Sequence, residues 1–288
     1  MGTASDLFYG LTTAVGYGTG DFLARQASHR IGHVAVLFYM EATSLLILGP
    51  LALVLERGQW SPGPSWGLIA LLGLVSVTAS LFLYKSFEYG VLSVVSPLAS
   101  SYPAVTAALA FLLLGERPGP LVYAGVVAVL AGIVLLSRSA AHPDNPRPKD
   151  ARVGLVSAFL AFAGYGVFYF ALDYVVGDLG PVTSAAMVRV VAVVSLLGAA
   201  ALGVARFPRP SRGIRGPILA IAALDSLAFV AYNAGVLTGS VAVVGTLSGL
   251  FSAVTIGLAA AVLRERLTPV QYAGVASIFL GVAFLAVG

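Results

Sequence analysis

Three ionisable side chains lie well away from the ends of long apolar segments of the sequence, namely Glu41, Arg189 and Asp225. If such a segment crosses a membrane, a charge at its centre costs roughly 2.5–3.5 kcal/mol, so the residue is expected to bind a substrate, carry a proton or pair with another charge. Arg189 has the chemistry to bind a carboxylate or another anion, and Asp225 to bind an amine or a proton. The alternative is that Glu41 and Arg189 form a structural ion pair between two parts of the chain.

Tyrosines recur at helical spacing in the same segments. Tyr165, Tyr169 and Asp173 follow one another at intervals of four residues, which places them on one face of a helix. Tyr232 lies two turns after the aspartate of its own segment, with Asn233 beside it. A tyrosine offers a stacking face and a hydroxyl to a small polar metabolite, although an aromatic belt at the membrane interface has the same composition. The other candidates for substrate contact are aromatic or small polar residues on further apolar segments, namely Tyr17, Tyr39, Ser101, Tyr102, Thr246 and Ser248.

Asp21 follows Tyr17 by one turn near the end of the first apolar segment. It could border a cavity, or it could be a helix-end carboxylate that pairs with Arg25. Enzymatic chemistry has no support in the sequence, because the chain has no Cys, its three His residues show no metal-ligand spacing, and it contains neither a Walker motif nor a catalytic triad. We therefore expect no enzymatic activity, no cofactor and no metal ion.

Charged residues are scarce in this chain. Of its 288 residues, 59% are hydrophobic and only 10% are charged, whereas an average soluble domain is about 25% charged. The mean hydropathy is +0.96. The sequence therefore predicts an integral membrane protein, and its net charge of +4 fits basic loops better than nucleic-acid binding.

Ten apolar runs are long enough to cross a membrane as helices, since a spanning helix needs about 20 mostly apolar residues. Most connections are very short and place consecutive helices antiparallel, but a Pro-rich linker at 139–152 divides the chain at its midpoint. In the fourth run, Pro97 and Pro103 flank Tyr102, and each Pro removes a backbone hydrogen bond and can kink the helix. The predicted spans are 5–24, 33–55, 66–85, 92–114, 120–138, 153–175, 180–205, 216–237, 241–263 and 268–287.

Basic residues are distributed unevenly over the predicted connections. With ten spans, 13 of the 16 Lys and Arg residues fall on one side of the membrane, two fall on the other side, and Arg189 lies within a span. Loops rich in Lys and Arg face the cytoplasm. This bias predicts a multi-pass protein of the cell (inner) membrane, with the 139–152 linker in the cytoplasm and both termini on the non-cytoplasmic side.

The two halves of the sequence resemble each other at a nearly constant offset. The tetrapeptide Tyr-Ala-Gly-Val occurs at 123–126 and again at 272–275, and Gly-Glu-Arg at 115–117 corresponds to Arg-Glu-Arg at 264–266. The carboxylates of the latter turns, Glu116 and Glu265, are expected to satisfy the N-terminal amides of the helices that follow them. Glycines at matching positions of spans five and ten are expected to pack these two helices together, namely Gly125, Gly132, Gly274 and Gly281.

Glu41 and Arg189 are 148 residues apart, which makes them equivalent positions of the two repeats. Because each repeat has five spans, the second repeat is inverted in the membrane relative to the first. Inverted repeats are typical of transporters whose substrate site lies near the membrane midplane. We predict an all-α fold with ten transmembrane helices, arranged as two inverted five-helix repeats at 1–138 and 153–288 around a central cavity.

This arrangement resembles the EamA-type, ten-helix members of the drug/metabolite transporter superfamily. The resemblance covers the whole chain and is carried by the Gly-Glu-Arg-like turns and the Tyr-Ala-Gly-Val helices. The second half departs slightly, because Arg264 replaces the Gly that precedes Glu in the first half. The resemblance implies two packed inverted bundles, alternating access, and frequently the export of amino acids or other small metabolites. Relatives also transport sugars, nucleotide sugars and drugs.

We predict a secondary transporter that exports small metabolites such as amino acids by alternating access. The alternative is a proton-coupled multidrug exporter of lipophilic cations, which the acidic and aromatic residues allow but which Arg189 in the cavity would disfavour. The expected partners are a small polar substrate and the lipid bilayer, without nucleic acid. A monomer is expected to function, because one chain already contains both halves of the inverted pair.

Overall fold

The computed structural model of the chain describes residues 3–57, 63–114, 119–138, 148–238, 244 and 247–287, and every regular element within these ranges is a helix. The all-α prediction is thereby confirmed for the described part of the chain. The first half contains α1 (Thr3–Ile31), α2 (His33–Leu55), α3 (Ser65–Tyr89), α4 (Leu92–Ser100), α5 (Pro103–Leu114) and α6 (Pro120–Arg138). The second half contains α7 (Ala151–Leu179), α8 (Pro181–Ala201), α9 (Arg212–Thr238), α10 (Phe251–Leu258), which continues as a π-helical turn over Ala259–Leu263, and α11 (Pro269–Val287).

Six stretches of helix among the described residues are long and apolar enough to cross a membrane. They are α2, α3, the α4–α5 pair, α7, α8 and α9. Shorter apolar stretches lie in α6, in and around α10, and in α11, while α1 has the length of a spanning helix but a lower hydropathy. These helices confirm a multi-pass membrane protein, and the count of ten spans stays a prediction.

The fourth predicted span is interrupted at Ser101 and Tyr102, which form a turn between α4 and α5. The Ser101 N–H donates to the Leu98 carbonyl at 3.4 Å and closes the last turn of α4. Pro103 is the first residue of α5, where its missing N–H has no intrahelical acceptor to lose. The helix is therefore broken where the proline pattern predicted a kink, and the break places the Tyr102 ring against Tyr169 of α7.

The two halves pack through equivalent pairs of helices. α1 packs along α9, and α7 packs along α3. A Cβ on Gly16 of α1 would lie 2.9 Å from the Ala228 Cβ, and a Cβ on Gly164 of α7 would lie 2.9 Å from the Ala79 Cβ. Small residues allow such close approach of membrane helices. Because the sequence repeat relates these four positions in pairs, the same contact is made twice, as a pseudo-twofold arrangement requires.

The last helices of the two halves, α6 and α11, pack against each other. A Cβ on Gly132 would lie 2.6 Å from the Gly274 carbonyl oxygen, and one on Gly281 would lie 2.7 Å from the Gly125 carbonyl oxygen. No side chain fits at these distances without a shift of the backbone. The predicted contact between the fifth and tenth spans is confirmed at the four glycines that the repeat aligns.

Glu265 does not cap α11, the helix that follows it in the sequence. The Thr268 N–H donates to Gln271 Oε1 at 2.9 Å and the Gln271 N–H donates to Thr268 Oγ1 at 3.3 Å, so these two residues form a capping box at the start of α11. Glu265 instead accepts the Ser93 N–H at 3.0 Å, at the start of α4 in the other half. The expectation that Glu265 caps its own following helix was wrong, because that helix already has a cap. Its counterpart Glu116 lies outside the described residues.

Candidate functional site

A cavity lies between the two halves, with walls from α1, α2, α3, α4, α7, α8, α9 and α10. It contains about 640 Å³ of empty space, counting the part that is continuous with the exterior. Half of its 16 lining residues are aromatic, and three are charged, namely Asp21, Arg189 and Asp225. The predicted central cavity is therefore present, and it combines apolar faces with both signs of charge.

Arg189 of α8 lies between two carboxylates at the cavity wall. Its Nη1 donates to Oε2 of Glu41 on α2 at 3.0 Å, and its Nη2 donates to Oδ2 of Asp225 on α9. The guanidinium also lies 5.1 Å from the centroid of the Phe229 ring, within the range of a cation–π contact. Arg189 is 4% exposed and Glu41 is fully buried. Arg189 therefore forms the expected ion pair with Glu41 and also lines the cavity, whereas Glu41, a candidate for substrate contact, lies outside the cavity lining.

Some polar atoms in and near this ion pair have no hydrogen-bond partner. Arg189 Nε, Glu41 Oε1 and Asp21 Oδ2 are buried and have no hydrogen-bond partner among the residues that the structure describes. A buried polar atom without a partner costs about 1–3 kcal/mol. The cluster is therefore suited to a ligand that supplies a hydrogen-bond acceptor to the guanidinium and a donor to the carboxylates.

Asp21 belongs to the cavity and not to a helix-end ion pair. Its side chain lines the cavity and is 8% exposed. Arg25, the alternative partner for Asp21, has its Nη2 3.0 Å from Glu265 Oε1 instead. In the described part of the chain, the cavity lining therefore contains two carboxyl groups, Asp21 and Asp225, and one guanidinium, Arg189, while Glu41 binds Arg189 from outside the lining.

Tyrosines from three helices and from the break between α4 and α5 form the aromatic wall. Tyr102 and Tyr169 are stacked, with ring centroids 4.5 Å apart and planes inclined by 18°. The Tyr165 and Ser80 hydroxyls lie 2.9 Å apart, and the Tyr169 hydroxyl donates to the Tyr17 hydroxyl at 3.4 Å. The predicted tyrosine stripe on α7 thus faces the cavity and neighbouring helices, and it is not part of an aromatic belt.

Tyr39 does not line the cavity, although it was a candidate for substrate contact. Its hydroxyl donates to the Phe207 and Pro208 carbonyls in the loop between α8 and α9, at 3.4 and 3.3 Å. Phe38 stacks on the Phe207 ring and holds the same loop. Since successive helical residues are rotated by about 100°, Tyr39 points away from the face that carries Glu41 two residues later.

Three other candidates, Ser101, Tyr232 and Ser248, do not line the cavity. Ser101 donates its hydroxyl hydrogen to a backbone carbonyl of the preceding turn at 2.6 Å, so it stabilises the break after α4. Tyr232 packs edge-to-face on Tyr169, with centroids 4.9 Å apart. Ser248 is 1% exposed and is not part of the cavity lining. The remaining candidate, Thr246, lies outside the described residues.

Asn233 holds the start of α8 and does not line the cavity. It is fully buried, and its Nδ2 donates to the Pro181 carbonyl at 3.0 Å and to the Ser184 hydroxyl at 3.2 Å. The Pro181 carbonyl also accepts the Ser184 hydroxyl at 3.4 Å, so Asn233 joins an existing polar group at the start of α8. The expected substrate contact at Asn233 is thus replaced by a contact between two helices.

Sequence reasoning did not select a polar stripe on α3 that lines the cavity. Ser76, Ser80 and Tyr84 recur at intervals of four residues and all face the cavity. The same periodicity pointed to Tyr165 and Tyr169 on α7, so the signal was present in the sequence. Serines are common packing residues in membrane helices, and for this reason their spacing alone carries less weight than that of tyrosines.

Two carboxylates join the halves at opposite ends of the molecule. At the predicted cytoplasmic end, Glu265 of the second half binds the start of α4 through the Ser93 N–H and hydroxyl. At the predicted outer end, Glu56 of the first half accepts the Val182 and Thr183 N–H groups at the start of α8, at 3.0 and 2.6 Å. A carboxylate at a helix N-terminus is favoured by the helix dipole. Each contact must loosen if the halves separate at that end.

The sequence matches the EamA-like transporter family over residues 5–138 and again over residues 152–287. The two matches correspond to the two packed halves and cover nearly all of the chain. The chain belongs to the EamA-like transporter family. It is accordingly a membrane transporter, and the family belongs to the drug/metabolite transporter superfamily.

Two curated proteins are similar to this EamA-like chain. A Sinorhizobium protein, described as an uncharacterized transporter in the cobO 3′ region, is 31% identical over 91 residues, which cover 30% of this chain and 64% of that protein. The match thus spans less than two thirds of that relative. An uncharacterized protein of Methanocaldococcus jannaschii is 32% identical over 136 residues, which cover 46% of this chain and 96% of that protein. Nearly all of the second relative therefore corresponds to about half of the EamA-like chain.

A solved crystal structure is similar to this EamA-like chain over almost its full length. The two superimpose with a TM-score of 0.68 at 19% sequence identity, over 98% of this chain and 96% of the other. At this identity the likeness shows a common fold and nothing about the substrate.

Proposed function

We propose that this EamA-like transporter exports small zwitterionic metabolites, amino acids in particular, by alternating access. The substrate would bind in the cavity between the two halves, with its carboxylate at Arg189 and its ammonium group at Asp21. In this proposal the chain works as a monomer in the cell (inner) membrane, with both termini outside the cytoplasm. Its partners are then the small polar substrate and the surrounding lipid.

The observation that carries this proposal is an unsatisfied donor and an unsatisfied acceptor beside one cavity. Arg189 Nε has no hydrogen-bond partner among the described residues, while Nη1 and Nη2 are held by Glu41 and Asp225, so in this proposal the Nε–H binds the substrate carboxylate. Asp21 Oδ2 has no hydrogen-bond partner among the described residues, and an ammonium group would supply one. Charge-assisted hydrogen bonds of this kind are roughly twice as strong as neutral ones.

The aromatic wall supports a substrate that also carries an apolar group. Tyr102 and Tyr169 present stacked rings, and Phe229 and Phe251 line the same cavity. Apolar surface that leaves water for such a wall contributes roughly 25 cal/mol per Å². An amino acid with a large apolar or aromatic side chain would therefore satisfy both the charged groups and the aromatic wall.

Alternating access is supported by the contacts at the two ends of the molecule. Glu265 joins the halves at the predicted cytoplasmic end, and Glu56 joins them at the predicted outer end. Opening one end while the other stays joined would expose the cavity to one side at a time. The break at Ser101 and Tyr102 provides a bending point in the wall, because its backbone is not held by a continuous helical hydrogen-bond ladder.

Three matched ligands test the proposed chemistry on the full chain in lipid nanodiscs. Phenylalanine carries both charges, phenethylamine only the ammonium group, and 3-phenylpropionate only the carboxylate. We expect phenylalanine to bind at least about tenfold more tightly than either analogue, since each missing charge leaves a buried partner unsatisfied. Equal binding of phenethylamine would contradict the proposal and support the exporter of lipophilic cations.

Two variants connect the charges of the ligand to their partners in the protein. In Arg189→Ala, phenylalanine is expected to bind no more tightly than phenethylamine. In Asp21→Asn, phenylalanine is expected to bind no more tightly than 3-phenylpropionate. Tyr39→Phe serves as the matched control, because Tyr39 contacts the loop between α8 and α9 and not the cavity. If the control changes the preference as much as the two cavity variants do, the cavity is not the binding site.

A further inference from the structure

Four arginines lie on the chain between α8 and α9 and on the first turn of α9. They recur at intervals of three residues and each is exposed, namely Arg206, Arg209, Arg212 and Arg215. We call these four residues the arginine patch. None of them forms an ion pair with another residue of the described ranges. The sequence has no Asp or Glu between Asp178 and Asp225, so no acidic neighbour along the chain balances the charge of the patch.

Acidic residues at the same predicted cytoplasmic end have other partners. Glu88 accepts a hydrogen bond from Lys149 Nζ at 2.6 Å, and Glu265 is paired with Arg25. Asp150 accepts two N–H groups of the first turn of α7. In the described part of the chain these carboxylates are not partners of the arginine patch, so its charge can be neutralised by an anion from outside the protein.

The loop that carries the patch is held in a defined position. Gly203 has φ 75°, a left-handed conformation that suits glycine at the C-terminal end of a helix, and it ends α8. The Phe38 ring of α2 stacks on the Phe207 ring, with centroids 3.9 Å apart and planes inclined by 6°. Arg215 Nε donates to the Pro210 carbonyl at 3.4 Å and joins the start of α9 to the loop. The arginines are therefore presented together on one ordered segment.

Exposed apolar side chains lie beside the arginine patch. Leu202 and Val204 are each 81% exposed, and they follow the end of α8 directly. On α9, Arg212, Arg215 and Leu219 are at positions i, i+3 and i+7 and share one face of the helix. Leu219 is 57% exposed and lies about 6 Å further along the helix axis than Arg215. A phospholipid at the membrane surface has the same order, with its phosphate group first and its acyl chains below.

We propose that the arginine patch binds the phosphate groups of anionic phospholipids in the cytoplasmic leaflet, while the adjacent apolar side chains contact the acyl chains. A guanidinium has planar, paired donors that match two oxygens of a phosphate group. The anionic lipids of this leaflet attract basic segments next to membrane-spanning helices. The inference goes beyond the proposed transport function, because it does not depend on which substrate the cavity binds.

The position of the patch favours a lipid over a soluble phosphate compound or a nucleic acid. Both helices that flank it, α8 and α9, are long and apolar enough to cross a membrane, so their ends lie at the level of the lipid headgroups. A single-stranded nucleic acid would need aromatic rings on which its bases can stack. The aromatic ring in the loop, Phe207, is already covered by Phe38.

A lipid on the patch would also support the charge cluster beside the cavity. The loop joins α8, which carries Arg189, to α9, which carries Asp225, and Phe38 ties it to α2, which carries Glu41. A ligand that binds only the folded chain raises its unfolding temperature. We therefore expect phosphatidylglycerol, added to the protein in detergent, to raise the unfolding temperature by more than phosphatidylcholine with the same acyl chains. An equal rise with the two lipids would contradict the proposal.

Native mass spectrometry of the full chain tests the lipid preference directly. When the wild type is released from micelles with equal amounts of phosphatidylglycerol and phosphatidylcholine, it should retain phosphatidylglycerol in at least about tenfold excess, since each arginine near the surface contributes roughly fivefold. The excess should fall as the salt concentration rises, because exposed charges are screened. Equal retention of the two lipids would overturn the proposal.

Two double variants locate the preference. Arg209→Gln with Arg212→Gln should lower the excess of phosphatidylglycerol by about fivefold or more. Arg30→Gln with Arg152→Gln is the matched control, because it removes two other exposed arginines from the predicted cytoplasmic end, and the excess should stay within about twofold of the wild type. Equal unfolding temperatures of the wild type and both variants in detergent without lipid show that the fold is intact. If the control lowers the excess as much as the patch variant does, the arginine patch is not a lipid site.

Soluble anions distinguish a lipid headgroup from other phosphates. Sodium phosphate should reduce the retained phosphatidylglycerol no more than sodium chloride does at the same ionic strength, and a short RNA should not displace it. This result supports a lipid site. Displacement by inorganic phosphate beyond the effect of chloride would assign the patch to a soluble phosphate compound, and displacement by RNA would assign it to a nucleic acid. Either displacement would overturn the proposal.

Discussion

Arg189 Nη1 and Glu41 Oε2 are 3.0 Å apart in space although the two residues are 148 positions apart in the sequence. Because 148 is the offset of the sequence repeat, these are equivalent positions of the two halves that have acquired opposite charges. Equivalent positions of an inverted pair meet only at the pseudo-twofold axis. The ion pair therefore marks the centre of the molecule, and the cavity lies beside it.

Loss of Arg189 should destabilise the protein as well as stop transport. Arg189→Ala leaves the buried Glu41 carboxylate and the partly buried Asp225 carboxylate without a cation, and breaking a buried ion pair costs about 3–5 kcal/mol. Thermal unfolding in detergent should show a clear loss of stability. Arg215→Ala removes an exposed arginine whose Nε donates to the nearby Pro210 carbonyl, and it should change stability by less than about 0.5 kcal/mol. Equal unfolding temperatures for the two variants would contradict a buried charge cluster.

The glycine contact between α6 and α11 should not tolerate a methyl group. Gly132→Ala places a Cβ 2.6 Å from the Gly274 carbonyl oxygen, so the helices must separate, at an expected cost of about 1–3 kcal/mol. Gly198→Ala is the matched control, since a Cβ there meets no atom within 4 Å and the helix gains up to about 1 kcal/mol in propensity. The two alanines should therefore shift the unfolding temperature in opposite directions. A stabilising Gly132→Ala would show that α6 and α11 do not pack as described.

Replacing Arg264 by glycine should stabilise the turn after the π-helical segment. Arg264 has φ 55° and ψ 30°, a left-handed conformation that costs an ordinary residue about 1–2 kcal/mol. Arg264→Gly removes this cost but adds about 0.5–1 kcal/mol of backbone entropy loss, so the net gain should be at most about 1.5 kcal/mol. The unfolding temperature should rise slightly while transport is unchanged. A lower unfolding temperature would mean that the arginine side chain makes a contact worth more than the backbone strain.

The carboxylates at the two ends should control which side of the cavity opens. Because the chain has no Cys, a single Ala99→Cys in the cavity lining reports access to a thiol reagent that does not cross membranes. Adding Glu265→Gln weakens the contact with Ser93 and Arg25, and labelling from the cytoplasmic side should increase severalfold. Glu56→Gln should increase labelling from the outer side instead. If both variants increase labelling from the same side, the alternating-access proposal fails.

The sequence alone predicted those features of the fold that follow from helical periodicity or from the internal repeat. The apolar runs predicted helices, the repeat aligned the glycines of α6 and α11, and its offset paired Glu41 with Arg189. The four-residue spacing of Tyr165 and Tyr169 likewise identified the helix face that lines the cavity. Each of these features is encoded locally or by the repeat itself, and so a single sequence contains it.

Contacts chosen by the tertiary structure could not be predicted in the same way. Asp21 and Arg25 are one turn apart, which favoured a local ion pair, yet Arg25 binds Glu265 from the other half. Asn233 is polar and central in its helix, as a substrate contact would be, but its partners at the start of α8 are 49 and 52 positions away. Such partners are distant in the sequence, and only the packing of the helices shows which groups come together.

Counterflow in proteoliposomes tests the central claim most directly, because it measures transport itself. Vesicles loaded with unlabelled phenylalanine should accumulate external labelled phenylalanine through the wild-type chain and through Tyr39→Phe. They should not do so through Arg189→Ala, and labelled phenethylamine should not replace phenylalanine. If the wild type accumulates no amino acid but accumulates phenethylamine, or if Arg189→Ala transports phenylalanine with unchanged apparent affinity, the substrate site described for this cavity is wrong.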